Sequence, residues 1–118
     1  MPIYKTRIRN FKEGPEAKIQ RSIIDFLRLR EWVVMPTHGN MYQSGFPDLY
    51  IVKRRYGSRW IEVKNPEHFV FTPAQWEMFP KLIAEGIGIW ILTAATETEY
   101  QKLFKKPNLW VYMGGFNK

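Results

Sequence analysis

The chain has no cysteine, which excludes a disulfide framework, a thiolate zinc site and a cysteine nucleophile together. Histidine is nearly absent, with His38 and His68 alone. A multi-histidine zinc or HNH-type centre would therefore have to borrow carboxylates. Aspartate is equally scarce, since only Asp25 and Asp48 occur. No apolar run approaches the roughly 18 residues of a membrane-spanning helix, and no signal-peptide pattern opens the chain. The expectation is an intracellular protein with no membrane partner. Internal repeats and low-complexity segments are also missing, so nothing suggests a solenoid or a linker.

What is present suits one domain over residues 1–118. A chain of this length removes roughly two thirds of its unfolded surface from water, enough for a core without staples. The formal net charge is +7, and the positive residues cluster. Lys5, Arg7, Arg9 and Lys12 mark residues 1–14 as a basic N-terminal arm, while Lys53, Arg54, Arg55 and Arg59 crowd a second short stretch. Neutralising phosphates with such residues releases counterions and supplies sequence-independent affinity, so the expected partner is a polyanion, with nucleic acid favoured.

Pro15 at a first helical turn opens a helix to about Arg30, with Ile19, Ile23, Ile24, Phe26 and Leu27 on the inward stripe. Glu16 lies on that stripe at its N-terminal end, either as an acid that favours the helix dipole or as a carboxylate aimed at a neighbouring strand. Trp32–Met35 reads as a strand. The polar stretch Pro36–Gly45 follows as a loop whose backbone N–H groups and hydroxyls suit a phosphate, with His38 and Ser44 as candidate DNA contacts. His68 reads as a surface residue. Thr72-Pro73-Ala74-Gln75 has the capping-box pattern, so a helix is expected to run to Glu85 and stop at Gly86, kinked at Pro80, with Trp76, Phe79 and Ile83 inward. Gly88–Thr93 is apolar on both parities, as in a strand covered on both faces. Thr96 caps a short helix to about Lys105, and Leu109–Tyr112 reads as a last edge strand. The fold class is α/β, a mixed central sheet flanked by helices.

Between these elements lie two alternating stretches, Gly45–Lys53 and Arg59–Lys64, which read as a β-hairpin. A three-residue loop Arg55-Tyr56-Gly57 would pair Arg54 with Ser58, Tyr50 with Glu62 and Asp48 with Lys64. Asp48 and Glu62 would then be diagonal neighbours on one face, about 7–8 Å apart at the backbone and able to share one small hard cation. A slip of one residue would separate them onto opposite faces. Carboxylates bind Mg²⁺ or Mn²⁺, ions that polarise phosphodiesters and acidify bound water. Lys64, two residues along the same face, can orient that water, deprotonate it, or stabilise the charge of the transition state.

Pro47-Asp48, thirteen intervening residues and Glu62-Val63-Lys64 resemble the core of the PD-(D/E)xK nucleases. Ser44-Gly45-Phe46-Pro47-Asp48-Leu49, Ile61–Pro66 and Phe71–Gln75 resemble, more narrowly, the virus-type replication-repair nuclease (VRR-NUC) family, over about residues 15 to 93. The resemblance implies a restriction-endonuclease-like αβββαβ core. It further implies that Asp48, Glu62, the Val63 carbonyl and Glu16 bind metal, that Lys64 is the catalytic lysine, and that Gln75 lines the site. Small members of this kind are similar to Holliday-junction resolvases and are expected to act as homodimers. The implied activity is Mg²⁺-dependent cleavage of branched DNA, with Mn²⁺ as a substitute ion and a 5′-phosphate product. Flap, nicking or restriction-type cleavage is the alternative within the same chemistry. A nucleic-acid-binding module without turnover is the alternative outside it.

Overall fold

Helix α1 spans Pro15–Leu29 in a computed structural model that describes residues 14–37 and 45–114. Proline enters at the first turn, where its missing N–H costs nothing. The helix ends where Glu31 adopts φ +69° and the Trp32 N–H reaches back to the Leu27 carbonyl. Four strands follow the expected order, β1 (Val33–Pro36), β2 (Leu49–Lys53), β3 (Gly57–Val63) and, after helix α2 (Pro73–Ala84), β4 (Ile89–Leu92). They lie in the sheet order β1-β2-β3-β4, antiparallel except for the parallel β3–β4 pair that α2 connects. The protein is thus an α/β fold with a four-stranded mixed sheet flanked by helices. Among the described residues no helix is long and apolar enough to cross a membrane.

Strand parity sorts the side chains into two cores. Leu49, Ile51, Ile61 and Val63 pack with Ile23 and Leu27 of α1. On the opposite face Ile89 and Ile91 pack with Phe79 of α2, with Trp60 partly buried against them. The i, i+4 pair Ile23 and Leu27 is 1% exposed at each position, and each such side chain contributes about 1.5–3 kcal/mol by leaving water.

Several expectations are corrected. The hairpin turn is Arg54-Arg55-Tyr56, with Lys53 paired to Gly57 and Tyr50 to Trp60. That register lies two residues from the expected one. Its cause is local: Arg55 takes φ +80°, so Gly57, at φ +85°, becomes the first paired residue of β3 instead of the last loop residue. A shift of two preserves parity, so Asp48 and Glu62 still share a face. Leu109–Tyr112 is helix α4, not an edge strand. Leu109 and Met113, four residues apart, are both fully buried. The Asn108 carboxamide meanwhile donates to the Ile91 carbonyl (3.1 Å) and accepts from the Ile91 N–H (2.6 Å), occupying the β4 edge that a fifth strand would have used. Trp76 is 45% exposed, not inward. The Thr96-capped helix α3 ends at Gln101, and a 3₁₀ turn, Lys102–Phe104, completes the segment. Lys5, Arg7, Arg9, His38 and Ser44 lie outside the described residues.

The β2 entrance is held against α2 by a glycine. Gly45 has φ +89°, and a Cβ there would meet the Ala74 carbonyl oxygen at 2.9 Å and the Met78 Cβ at 3.1 Å. Gly45→Ala is expected to destabilise the protein by about 1–3 kcal/mol, the sum of a strained backbone and a close contact. A urea midpoint equal to that of the parent would disprove the close approach.

Candidate metal centre

Past the last paired residues of β2 and β3, the two chains exchange carboxylate bonds in place of backbone ladder bonds. The Asp48 N–H donates to Glu62 Oε1 (3.2 Å), and the Val63 N–H donates to Asp48 Oδ2 (2.8 Å). Asp48 therefore stands directly across from Glu62, where the Leu49–Ile61 pairing would continue by one residue. An extended residue presents its N–H and C=O to the same side. Val63 thus turns its carbonyl toward the Asp48 side of β3, as a ligand role requires.

Thr37 fixes Asp48 from the other flank. Its N–H donates to the Asp48 carbonyl (2.8 Å), and its hydroxyl contacts the Pro47 and Asp48 carbonyls. Nothing local marks this residue beyond a hydroxyl at a strand end, because its partners lie ten and eleven residues on.

Glu62 is 1% exposed and Lys64 3%. Charges so placed survive only when their bonding capacity is met. Glu62 Oε2 accepts from Gln75 Nε2 (2.8 Å) and lies 3.0 Å from Lys64 Nζ. The Lys64 ammonium also donates to the Val70 carbonyl (2.8 Å) and Gln75 Oε1 (3.3 Å), and it stands 4.5 Å from the centre of the Phe71 ring. Gln75 has two duties at once. Its Oε1 accepts from the Thr72 N–H (3.0 Å) while its own N–H donates to the Thr72 hydroxyl (3.1 Å), closing the capping box of α2.

Glu16 arrives from the first turn of α1 and is half-buried. One oxygen each from Glu16, Asp48 and Glu62 lie within 4.8 Å of one another. Three hard oxygens gathered this closely could hold one small divalent cation. The donor set is hard oxygen throughout, and these residues could hold a metal ion. The electrostatics agree. Burial first, and the Asp48 charge second, push Glu62 from the ordinary 4.5 up to about 8 despite Lys64 and Gln75. Burial also raises Glu16, opposed by Lys64 and reinforced by Asp48. A cation among these carboxylates relieves both costs.

The basic residues stand elsewhere. Arg54 and Arg55 are exposed in the hairpin turn, and Lys53 lies 3.6 Å from Glu31. The five residues of β2 separate this turn from Asp48 by six steps, roughly 20 Å. Arg59 is bound internally, donating to the carbonyls of Leu103 (2.9 Å), Tyr56 (2.8 Å) and Ser58 (3.0 Å). Its guanidinium ties the turn to the C-terminal segment. No protein-family model, curated protein or solved structure matches the chain.

The raised Glu62 has a signed consequence. Between about pH 4.5 and pH 8 the metal-free folded state holds a proton that the unfolded chain releases, so stability falls as pH rises through this window. Glu16 acts in the same direction. Glu62→Gln, which cannot ionise, is expected to flatten that slope in pH-dependent thermal melts. Mg²⁺ affinity measured by titration calorimetry should rise by up to about tenfold per pH unit below 8, because the ion displaces the proton.

Proposed function

We propose that the protein is a Mg²⁺-dependent endonuclease that hydrolyses phosphodiester bonds in branched DNA, with Mn²⁺ able to substitute. The observation that carries this reading is the convergence of Glu16, Asp48 and Glu62 from three separate elements beside a buried lysine. A protein that only binds DNA has no use for three acids gathered where phosphates must approach. The restriction-endonuclease-like core and membership of the VRR-NUC family belong to the same proposal, supported by the order of elements and by the motifs at Asp48 and Glu62-Val63-Lys64. So do an intracellular location and a homodimer, whose two sites would cut paired strands of a junction symmetrically.

A divalent ion bound here would polarise the scissile phosphate and lower the pKa of an attacking water. The residues of the chain define the remainder. Asp48, Glu62, Glu16 and the Val63 carbonyl supply the hard-oxygen cage. Lys64 is pinned by the Val70 carbonyl, Gln75 and Glu62, so its role is a fixed positive charge that orients Glu62 and offsets charge building on the phosphate. Gln75 holds the Glu62 carboxylate and Lys64 at once, which makes it a positioning residue. Water attacks in line and the 3′-oxygen leaves, giving a 5′-phosphate.

Asp48→Ala should lower cleavage by about 10³-fold or more, the scale of several kcal/mol of transition-state stabilisation, while DNA affinity stays nearly constant. The assay is a panel of labelled junction, flap, nicked and plain duplex DNAs with and without Mg²⁺. Undiminished cutting by the variant would end the proposal. Absence of cutting by the parent on every substrate, together with no Mg²⁺ or Mn²⁺ binding, would leave a nucleic-acid-binding module.

A further inference from the structure

Cross-strand pairing extends the acid row into a second row on the same sheet face. Met35 pairs with Tyr50 and Tyr50 with Trp60, one step of two residues, roughly 6.6 Å, from Asp48 and Glu62. The Tyr50 and Trp60 rings stand 4.7 Å apart at 47°, and Phe46 meets Trp60 edge-on at 6.1 Å. Helix α2 packs over the β3–β4 half of this face through Phe79. The β1–β2 half keeps apolar surface in water, with Val33 59% and Met35 45% exposed. Beyond it the hairpin ends in exposed Arg54 and Arg55.

A row of half-buried aromatics between an acid cluster and a basic turn is poorly suited to duplex DNA, whose base faces are stacked away. It suits unpaired bases, which gain stacking energy on any aromatic surface while their phosphates are drawn to nearby cations. A second copy of this chain is the competing occupant, but the exposed Arg54 and Arg55 beyond this half of the face favour a polyanion.

Building on the proposed nuclease activity, we infer that the β1–β2 half of this face, Val33, Met35 and Tyr50 with Trp60 packed behind the Tyr50 ring, is a stacking platform for single-stranded DNA, so that the strand presented to the acid cluster is unpaired beside the scissile phosphate. This places the substrate preference on the unpaired arm of a branch rather than on its duplex arms. Asp48 then marks the chemical end of the platform and Arg54-Arg55 its electrostatic end.

Binding without cleavage isolates the platform. In EDTA, a fluorescein-labelled oligothymidylate should bind the parent protein by anisotropy about tenfold tighter, or more, than a duplex of equal length. Tyr50→Leu, which keeps apolar bulk but removes the ring, should erase most of that difference. Met35→Glu, at an exposed position that folding tolerates, should weaken single-strand binding by about tenfold or more through repulsion of the phosphates. Equal or tighter binding of the duplex would overturn the inference, as would an unchanged single-strand affinity in Met35→Glu. Sedimentation showing a dimer that Met35→Glu dissolves, without loss of single-strand binding, would reassign the face to contact between copies. Single-strand binding by a parent protein that cuts nothing with Mg²⁺ would remove the nuclease reading and leave the platform standing.

Discussion

A carboxylate, an ammonium and a carboxamide buried together beside Phe71 constrain everything around them. Removing Glu62 and Lys64 from water costs several kcal/mol for each ion, and partnering offsets only part of that cost. Among the described residues no buried side-chain nitrogen or oxygen lacks a hydrogen-bond partner. Completeness ties distant parts of the chain together. Gln75 can reach Glu62 and Lys64 only while the capping box with Thr72 sets the first turn of α2, and Lys64 reaches the Val70 carbonyl only while that segment lies across it. The N-terminus of α2 is thereby locked to the end of β3. Displacing either would strand a charge.

The locked trio leaves the site with an excess of negative charge. Lys64 is one cation beside Glu62, Asp48 and Glu16, and its ammonium is bonded to three acceptors. Burial therefore prevails over attraction at Glu62, whose proton is retained up to about pH 8. The fold takes up a proton, and the same oxygens could instead hold a cation, each excluding the other. Folding stability and metal affinity are consequently coupled through one carboxyl group.

Much of this arrangement was legible in the sequence because it depends on parity more than on register. Alternation put Asp48 and Glu62 on one face, and the observed slip of two residues could not undo that. The slip itself was hidden in Arg55, whose left-handed conformation is unusual for a non-glycine residue and is not announced by its neighbours. The capping box at Thr72 was readable from local spacing alone, and the same local chemistry delivered Gln75 to the site. One reading failed for the reason that periodicity fails on short apolar runs. Leu109–Tyr112 fits strand and helix equally, and the choice was made by Asn108 bonding to Ile91, a partner 17 residues away. Thr37 was invisible for the same reason. The pull of a core on Phe79 was legible, while Trp76, one turn earlier and expected inward by the same period, is 45% exposed.

The separation of charge along the hairpin has a mechanical consequence. Carboxylates repel the phosphates that a cation among them would attract, so the acid end of β2 and β3 cannot by itself supply affinity for a polyanion. Affinity must come from residues that never touch the reacting atoms, and Arg54 and Arg55 stand at the other end of the same two strands. The connection between the ends is stiff. Five backbone pairs join β2 to β3, Arg59 bonds the turn to the Leu103 carbonyl, and Tyr56 packs on Trp32 and Phe104. On the proposed nuclease reading, a strand held at the basic turn would be held at a fixed distance from Asp48. Binding energy gathered at the turn would then be converted into position at the acids, which is where orientation counts most for rate.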